Sequence, residues 1–338
     1  ILDELYIKRV QSDNISDVAI AYRTDLHKNN IHFAKQAFDF IKSQKQCIIM
    51  VGDFTNFFDN LQHQYLKYQL CNLLGCTTLP NDFYKVFRSI TKFSYVNLVD
   101  ILSYYKLEDT FANRRDLNSK DVIMPIQELR KHRDLIHTNA NAFGIPQGSA
   151  ISAILSNIYM LDFDKSIHEY VKLQNGLYLR YSDDSIFIFP IENKTEFLTH
   201  YNFLMNSIKA IPNLELQKEK TKLYFYSNNS LENIDTLIGN ESNGKNIIDY
   251  LGFSFNGEKI SIRDKTIGKF YYRAYAAFIF PFIMAKHIFI RFIARAKNNK
   301  LHIAVFNHFI HNIINKLEPL LMRKTANHSY KEFVFILD

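Results

Sequence analysis

The feature that most constrains the fold is residues 178–189, in which two apolar runs flank the dipeptide Asp183-Asp184. β-Branched and aromatic residues on both sides of a short polar pair, with no proline between, are typical of a tight hairpin between buried strands. Adjacent carboxylates at such a tip repel one another unless a cation neutralises them. Because oxygen ligands favour Mg²⁺ or Mn²⁺, the pattern predicts a metal-binding turn. The alternative for an isolated Asp-Asp pair is a solvated surface turn.

A second apolar run, residues 47–51, leads into residues 52–59, which read Gly-Asp-Phe-Thr-Asn-Phe-Phe-Asp. A continuous run of this length fits a strand buried on both faces, with polar chemistry starting at its C-terminal end. Asp53 would then lie at the end of one strand, with Asp183 and Asp184 on a neighbouring hairpin. Carboxylates on rigid elements can reach two metal ions about 3.5–4 Å apart. These segments together predict phosphoryl transfer by positioning and charge neutralisation.

A third segment, residues 143–149, reads Phe-Gly-Ile-Pro-Gln-Gly-Ser and predicts a turn. It precedes an amphipathic helix with isoleucine and leucine on one face. The small residues Ser149, Ser152 and Ser156 fall on the opposite face. We expect that face to admit a bulky group, and the alternative is a loop followed by an ordinary core helix.

The remaining pattern alternates helices with short strands. Apolar residues recur at helical spacing in residues 30–43, whereas residues 93–106 are ambiguous. The charged residues 114–138 are either a solvated helix or an insertion. Further helices are predicted at residues 61–75, 81–92, 196–208 and from 266 onward, with strands at residues 18–22 and 214–226 and a hairpin arm at residues 248–255.

Composition and charge narrow the class of protein. Hydrophobic residues at 47% and charged residues at 22% indicate a folded globular chain. The net charge is +7, but residues 258–338 hold 14 Lys and Arg against five Asp and Glu. Such a basic segment predicts binding of a polyanion, although a solvated helical surface explains it equally well.

Cysteine use and hydropathy indicate the compartment. The three cysteines form no metal-ligand pattern with the 12 histidines, which predicts a reducing, cytoplasmic setting. The most apolar run, residues 270–293, is interrupted by basic residues and a proline. We therefore expect no membrane span and no membrane partner.

Five segments resemble the motifs of reverse transcriptases. Residues 52–59, 144–149 and 180–184 (Arg-Tyr-Ser-Asp-Asp) resemble motifs A, B and C of that family. Residues 219–221 (Glu-Lys-Thr) resemble motif D, and residues 250–253 (Tyr-Leu-Gly-Phe) resemble motif E. All five occur in the order of the family. The wording of motifs A and B is most similar to bacterial enzymes of the group II intron, retron and defence-associated or abortive-infection types.

The resemblance implies an α+β fold shaped like a right hand, with fingers, an RRM-like antiparallel palm and an α-helical thumb. We expect partial fingers in residues 1–46, a palm with fingers segments in residues 47–256, and a basic helical thumb-like region in residues 257–338. The stretch between motifs A and B, about residues 61–140, is expected to be an insertion. No RNase H pattern follows the motifs, so we expect template removal not to be encoded in this sequence. No maturase or HNH endonuclease segment and no retron-type Val-Thr-Gly element are found, which disfavours intron and retron enzymes.

The resemblance also implies a role for each matched residue. Asp53, Asp183 and Asp184 would hold two Mg²⁺ ions, or Mn²⁺, with the Phe54 carbonyl group assisting. Phe58 falls at the position that screens the sugar, where a phenyl ring would clash with a ribose 2′-hydroxyl. The alternative for Phe58 is a core aromatic residue.

The other matched positions are implied contacts to substrates. Lys220 would protonate the pyrophosphate leaving group, and the alternative is a solvated lysine. Basic pairs at i, i+4 spacing near the C-terminus could follow a phosphate backbone. The nucleotide would be contacted by Gln147, Gly148, Lys8 and Arg9, and the primer or template by Ser149, Tyr250, Leu251, Gly252, Lys269, Arg273, Arg291 and Arg295.

The implied activity is an RNA-directed DNA polymerase that adds deoxynucleotides to a 3′-hydroxyl. Its partners would be dNTPs, a DNA product and an RNA template, with a structured noncoding RNA serving anti-phage defence in the bacterial cytoplasm; a homo-oligomer is also compatible. One alternative is template-independent or protein-primed DNA synthesis, started from a Tyr or Ser hydroxyl. Another is a catalytically idle scaffold that binds nucleic acid, against which the presence of all three carboxylates argues.

Overall fold

The computed structural model describes residues 1–192, 196–239, 244–269 and 271–272. The chain divides into two compact units, Ile1–Arg263 and Asp264–Asp338. In the second unit the described residues, 264–269 and 271–272, are helical. In the first unit helices alternate with antiparallel sheets. The predicted mixture of helix and antiparallel sheet is confirmed, whereas the assignment of fingers, palm and thumb stays a prediction.

In the part of the chain that the structure describes, short 3₁₀ turns accompany the helices and strands named below. In the described residues, none of the helices combines the length and the apolar composition needed to cross a bilayer. The helices are α1 (Leu2–Ser12), α2 (Asn30–Ser43), α3 (Phe57–Asn60), α4 (His63–Leu74), α5 (Asn81–Thr91), α6 (Leu98–Tyr104), α7 (Phe111–Asn118), α8 (Ile126–Lys131), α9 (Ser152–Tyr159), α10 (Leu161–Leu173) and α11 (Phe197–Lys209). The strands are β1 (Gln46–Asp53), β2 (Ser94–Tyr95), β3 (His137–Thr138), β4 (Leu177–Tyr181), β5 (Asp184–Pro190), β6 (Lys222–Ser227), β7 (Ser230–Asn233), β8 (Ile248–Tyr250), β9 (Phe253–Phe255) and β10 (Ile260–Ile262).

A five-stranded antiparallel sheet in the order β4-β5-β1-β6-β7 forms the centre of the first unit. Side chains alternate across β1, so Ile48 and Met50 join one apolar core, with α1, α4, α9, α10 and α11. Cys47 and Ile49 join a second core, with α2 and the small β8-β9-β10 sheet. Because both faces are covered, residues 47–51 of β1 are all apolar, as the sequence predicts.

Helix α2 shows how local sequence sets an element of the second core. Asn29 begins the helix by accepting a 3.0 Å hydrogen bond from the N–H of Ile31 through its side chain. Apolar residues then recur at i, i+3 and i+4, and this face is buried against the sheet. Phe38 on that face stacks on Phe255 of β9, with ring centroids 5.1 Å apart. The predicted bounds of this helix, residues 30–43, are confirmed.

Three predicted elements differ from the structure. Residues 18–22 form an isolated bridge, between Ala19 and Arg180, instead of a strand, because the N-terminal segment meets only the edge of the sheet. Residues 214–226 contain a strand only from Lys222, after a turn. Within the segment expected to be helical from residue 257, Ile260–Ile262 is the edge strand β10, paired with β9.

The packing of Phe38 between the two sheets yields a stability prediction. Replacing Phe38 with Ala should lower the free energy of unfolding by about 3–5 kcal/mol, because it leaves a cavity against Phe255. Urea denaturation would measure the change. Ile31→Ala, on the 55% exposed side of the same helix, should change stability by less than about 0.5 kcal/mol. Equal effects of the two substitutions would contradict this account of the second core.

Candidate active site

The turn between β4 and β5 brings the predicted carboxylates together. In the antiparallel pairing of β1 with β5, Asp53 lies directly across from Asp184. The two-residue loop Ser182-Asp183 joins β4 to β5, and Ser182 has a φ of 61°, which is uncommon for a residue other than glycine. The Asp183 carbonyl group accepts a 3.2 Å hydrogen bond from the N–H of Phe54. The predicted hairpin is therefore confirmed, and it is tied to the end of β1.

The three carboxylates form one partly buried acidic cluster, comprising Asp53, Asp183 and Asp184. Asp53 is 8% exposed, and its carboxyl group lies beside that of Asp183. Burial, followed by the charges of Asp183 and Asp53, raises the pKa of Asp184 from 3.8 to about 6. Burial also raises the pKa of Asp183, and the Asp53 carboxyl group adds to this. Such an excess of buried negative charge favours the binding of a cation.

Two basic side chains act on the acidic cluster. The Lys220 ammonium group forms an ion pair with Oδ2 of Asp53, and this contact raises the pKa of Lys220. The Lys220 side chain is 58% exposed. Arg263 favours the ionised form of Asp184, in opposition to burial. Its Nε donates to Oδ2 of Asp249 at 2.9 Å. Among the described residues, Lys220 and Arg263 thus act electrostatically on the cluster.

The predicted nucleotide-binding turn is hydrogen-bonded to the segment that follows β1. The N–H groups of Gly144 and Ile145 donate to the carbonyl groups of Leu61 and Phe58, both at 2.9 Å. Gly144 has a φ of 90°, and a Cβ atom there would lie 3.0 Å from the Asp59 carbonyl oxygen. Glycine is required at this position both by the backbone conformation and by the close approach of the two segments.

The predicted substrate-facing positions of this turn differ in exposure. Gln147 and Gly148 are exposed and Ser149 is half-buried. Gly148 has a φ of 86°, and beyond its chain neighbours no described atom lies within 4 Å of the point where a Cβ would be. Phe58, by contrast, is 8% exposed and packs edge-to-face on Phe57 with ring centroids 5.4 Å apart. The Phe58 ring belongs mainly to the apolar core, and its role as a sugar screen stays a prediction.

The prediction of an open serine face is wrong. Helix α9 begins at Ser152, three residues after Ser149. Ser152 and Ser156 are both at most 1% exposed. Their hydroxyl groups donate to the carbonyl groups of Pro146 at 2.6 Å and Ala153 at 2.8 Å. Both faces of the helix are therefore buried, and the hydroxyl groups on its polar face are satisfied by backbone carbonyl groups. The spacing of small residues alone does not show whether protein or solvent covers that face.

The predicted primer-contacting segment turns sharply after β8. Leu251 has a φ of 48° and Gly252 a φ of 90°. The Gly252 carbonyl group accepts a 3.0 Å hydrogen bond from the N–H of Arg263. Tyr250 is 2% exposed, and its hydroxyl group has no hydrogen-bond partner within the described residues. Burial raises the pKa of Tyr250, and the charge of Asp184 adds to this, which places the tyrosine beside the acidic cluster.

Of the remaining basic candidates, Lys8, Arg9 and Lys269 are among the described residues. Lys8 and Arg9 are on α1, where Lys8 is exposed and Nε of Arg9 donates to Asp13 at 2.6 Å. A nucleotide contact would require Arg9 to leave this ion pair. Lys269 is exposed and belongs to the second unit. The other three candidates, Arg273, Arg291 and Arg295, lie outside the described residues.

Two residues near the acidic cluster were not predicted from the sequence, namely Tyr22 and Arg263. Tyr22 is 51% exposed, and its hydroxyl group donates to Oγ of Ser182 at 3.4 Å. The Ser182 hydroxyl group in turn forms a hydrogen bond with the Asp183 carboxyl group. The contact joins residues 160 positions apart, so no local pattern indicates it.

The raised pKa of Asp184 predicts how stability depends on pH in metal-free buffer. The folded chain holds this proton more tightly than the unfolded chain, because the pKa is about 6 instead of 3.8. The stabilising contribution is therefore complete below about pH 4 and is lost as the pH rises through about 6. Asp184→Asn should flatten the decline in melting temperature over this range, measured by circular dichroism.

The matched control is Asp59→Asn, which removes an exposed carboxylate six residues after Asp53. It should leave the pH profile of the melting temperature unchanged. Wild-type and Asp184→Asn profiles of the same slope would show that Asp184 does not titrate in this range.

Comparison with known proteins identifies the family. The family model described as "Reverse transcriptase (RNA-dependent DNA polymerase)" matches residues 5–255. No match was found among curated proteins. The structure of an apo telomerase from Candida tropicalis, truncated from the C-terminal domain, is similar with a TM-score of 0.43 and 13% identity, covering 78% of this chain and 44% of that chain. A telomerase from Candida albicans, in complex with a TWJ fragment of telomeric RNA, gives a TM-score of 0.44 and 14% identity, covering 78% and 38%.

This chain spans less than half the length of either telomerase chain. The family match, by contrast, extends over residues 5–255 and includes all five segments that resemble family motifs. The placement among bacterial or defence-associated enzymes stays a prediction. Since the match covers well over half of the 338 residues, the chain belongs to the reverse transcriptase (RNA-dependent DNA polymerase) family.

Proposed function

We propose that the chain is an RNA-directed DNA polymerase that adds deoxynucleotides to a 3′-hydroxyl, with Asp53, Asp183 and Asp184 holding its metal ions. The observation that carries this proposal is the acidic cluster itself. The pairing of Asp53 with Asp184 and the contact between Asp53 and Asp183 bring three carboxylates to one partly buried point. Carboxylates from rigid elements are what two-metal phosphoryl transfer requires.

The donor set of this cluster suits Mg²⁺ or Mn²⁺, because both ions prefer carboxylate oxygens. Within the described residues, the three carboxylates lie near one another but are not yet arranged as the ligands of one ion, so metal binding would have to draw their side chains together. The Lys220 ammonium group already contacts Oδ2 of Asp53, so metal binding would require this ion pair to open. Two bound ions would acidify the attacking hydroxyl and neutralise the triphosphate.

The other residues of the site would act on the nucleotide directly. Lys220 would donate a proton to the departing pyrophosphate, since its exposed ammonium group lies beside Asp53 of the acidic cluster. Gln147 and Gly148 would line the base pair, since both are exposed on a turn fixed to the segment after β1. Phe58 would screen the sugar. Its carbonyl group accepts a hydrogen bond from the N–H of Ile145, which ties Phe58 to that turn.

We further propose that the template is a structured noncoding RNA and that the enzyme serves anti-phage defence in a bacterial cytoplasm. This rests on the wording of residues 52–59 and 144–149, which resembles the defence-associated branch. The primer or template would contact Ser149 and the turn at residues 250–252. The basic C-terminal segment would add binding that depends on salt concentration.

The central test is to replace Asp183 or Asp184 with Asn in the full chain. Incorporation of labelled dNTPs on a primed RNA template with Mg²⁺ should fall by more than about 100-fold. Even the loss of an outer partner of a metal ligand costs about 10- to 100-fold. RNA binding, measured by filter retention, should stay within about twofold of wild type, since the neutral amides remove no cation from the RNA surface.

Asp59→Asn serves again as the control, because it makes the same chemical change at an exposed position of motif A. Its polymerase activity should match that of wild type. Undiminished synthesis by the Asp183 and Asp184 variants would refute the assignment of the acidic cluster. Loss of RNA binding along with activity would favour a folding defect.

One observation favours protein-primed synthesis as a second candidate. Tyr22 is half-exposed and its hydroxyl group reaches the turn that carries Asp183. In such a reaction the Tyr22 oxygen would bond to the α-phosphorus of a deoxynucleoside triphosphate, with release of pyrophosphate and a proton. This contact makes Tyr22 the candidate priming residue among the tyrosines that the structure describes.

Tyr22→Phe separates the two candidates. Under protein priming, the variant should lose DNA that stays attached to the protein on denaturing gels, and mass spectrometry of wild type should find nucleotide on the Tyr22 peptide. Extension of a supplied primer should continue in both proteins. Tyr95→Phe, at another exposed tyrosine, is the control. Unattached products from wild type would exclude protein priming.

A further inference from the structure

Arg180 is a completely buried charge directly behind the acidic cluster. It lies on β4 and is 0% exposed. Its partner Asp164, on α10, is 1% exposed. Nε and Nη2 of Arg180 donate to Oδ1 and Oδ2 of Asp164 at 2.8 and 2.6 Å. The Tyr178 hydroxyl group also donates to Oδ1, at 2.8 Å. This is a forked, charge-assisted pair with fixed geometry.

A buried ion pair of this kind is poorly explained by stability alone. Removing two charges from water costs several kcal/mol per ion, and apolar residues of similar volume are often as stabilising or more so. What an apolar replacement cannot supply is directed hydrogen bonds. The remaining donors of Arg180 therefore indicate its role.

Those donors reach the loop that carries Asp183. Nη1 of Arg180 donates to the Ser182 carbonyl oxygen at 3.0 Å. Ser182 is the residue with the positive φ of 61°, a conformation that persists only where surrounding contacts impose it. The Arg180 guanidinium group thus holds the backbone atom immediately before Asp183, and Asp164 holds the guanidinium group.

The same guanidinium group begins a closed ring of contacts. Its Nη2 donates to Oδ1 of Asn157 on α9 at 3.3 Å, and Nδ2 of Asn157 donates to the Ala21 carbonyl oxygen at 3.1 Å. The next residue, Tyr22, returns to the Ser182 hydroxyl group at 3.4 Å. Three segments distant in sequence are thereby fixed relative to one another: residues 18–22, the helix after motif B and the motif C hairpin.

We propose that Arg180, supported by Asp164 and Asn157, is a positioning residue that sets the direction in which the Ser182-Asp183 loop presents its carboxylate. Its side-chain hydrogen bonds go to Asp164, Asn157 and the Ser182 carbonyl group, none of which is a proposed metal ligand. The proposal rests on the proposed polymerase function for its consequence, since a displaced Asp183 would misplace the metal ions. The geometry of the loop is its direct effect and is measurable without activity.

The test uses three variants of the full chain. Arg180→Lys keeps the charge but loses the fork, because one ammonium group cannot reach Asp164, Asn157 and the Ser182 carbonyl together. The combined variant Arg180→Met, Asp164→Leu, Tyr178→Phe replaces the buried pair with apolar groups and should keep the fold. Tyr170→Phe is the control. It removes a 2.9 Å hydrogen bond to His200 at the far end of β5, where both rings pack on Phe189, five residues from Asp184.

The first readout is hydrogen exchange of peptides covering residues 177–190 under native conditions. We expect amides at residues 182–184 to exchange at least about 10-fold faster in Arg180→Lys and in the combined variant, with no change there in Tyr170→Phe. The second readout is kinetics. We expect kcat to fall at least about 10-fold, with KM for dNTP within about threefold of wild type and a higher Mg²⁺ concentration at half-maximal rate.

Unchanged loop exchange and unchanged kcat in the folded combined variant would overturn the proposal and leave the pair a structural element. If the combined variant fails to fold, Arg180→Lys, which keeps the positive charge, is compared with wild type by the same two readouts. If wild type makes no DNA while loop exchange still responds to Arg180, the polymerase function fails and the positioning of the loop stands.

Discussion

The rest of the site depends on the register between β1 and β5, which places Asp53 opposite Asp184. A slip of one residue would send every side chain of β5 to the other face of the sheet. Hydrophobicity alone specifies this register weakly, because β1 is apolar towards both cores. Directed polar contacts must add to it: the two-residue loop fixes β5 on β4, and the bond from Phe54 to Asp183 fixes the loop on β1. The buried Arg180 and Asp164 pair then fixes β4 against α10. This agrees with the best-attested use of buried polar groups, which is to specify register.

The same register creates an electrostatic problem that the chain solves incompletely. Three carboxylates lie close together, and burial raises the pKa values of two of them, Asp183 and Asp184. Lys220 and Arg263 act on this charge from separate segments: Lys220 lies in the turn before β6 and Arg263 directly follows β10. Arg180, although closer to the loop in sequence, is already paired with Asp164. The acidic cluster therefore remains receptive to further cations, and the exposed Lys220 is the group that gives way most easily, because its ion pair lies at the solvent boundary.

How far the sequence predicts this site depends on whether the signal is local. Helix α2, strand β1 and the hairpin around Asp183 were predicted correctly, because apolar spacing and turn residues determine each of them within a few positions. The buried side of α9 was predicted wrongly, since small residues at helical spacing look the same whether solvent or protein covers them. Tyr22 could not be predicted at all. Tyr22 and Ser182 both have a positive φ and are 160 positions apart in the sequence. Neither feature leaves a periodic pattern in the sequence.

The distribution of burial separates the parts of the site that must be rigid from those that must move. The groups that set the loop geometry, Arg180 and Asp164, are removed from solvent and bonded through nearly all their donors and acceptors. The groups proposed to meet the nucleotide are exposed and lie on turns, as Gln147, Gly148 and Lys220 do. Catalysis by positioning needs both, because a carboxylate displaced by about 1 Å loses its alignment whereas a nucleotide must enter and leave. The buried ion pair of Arg180 and Asp164 therefore fixes the acidic cluster, while the exposed turns leave the site open to a nucleotide.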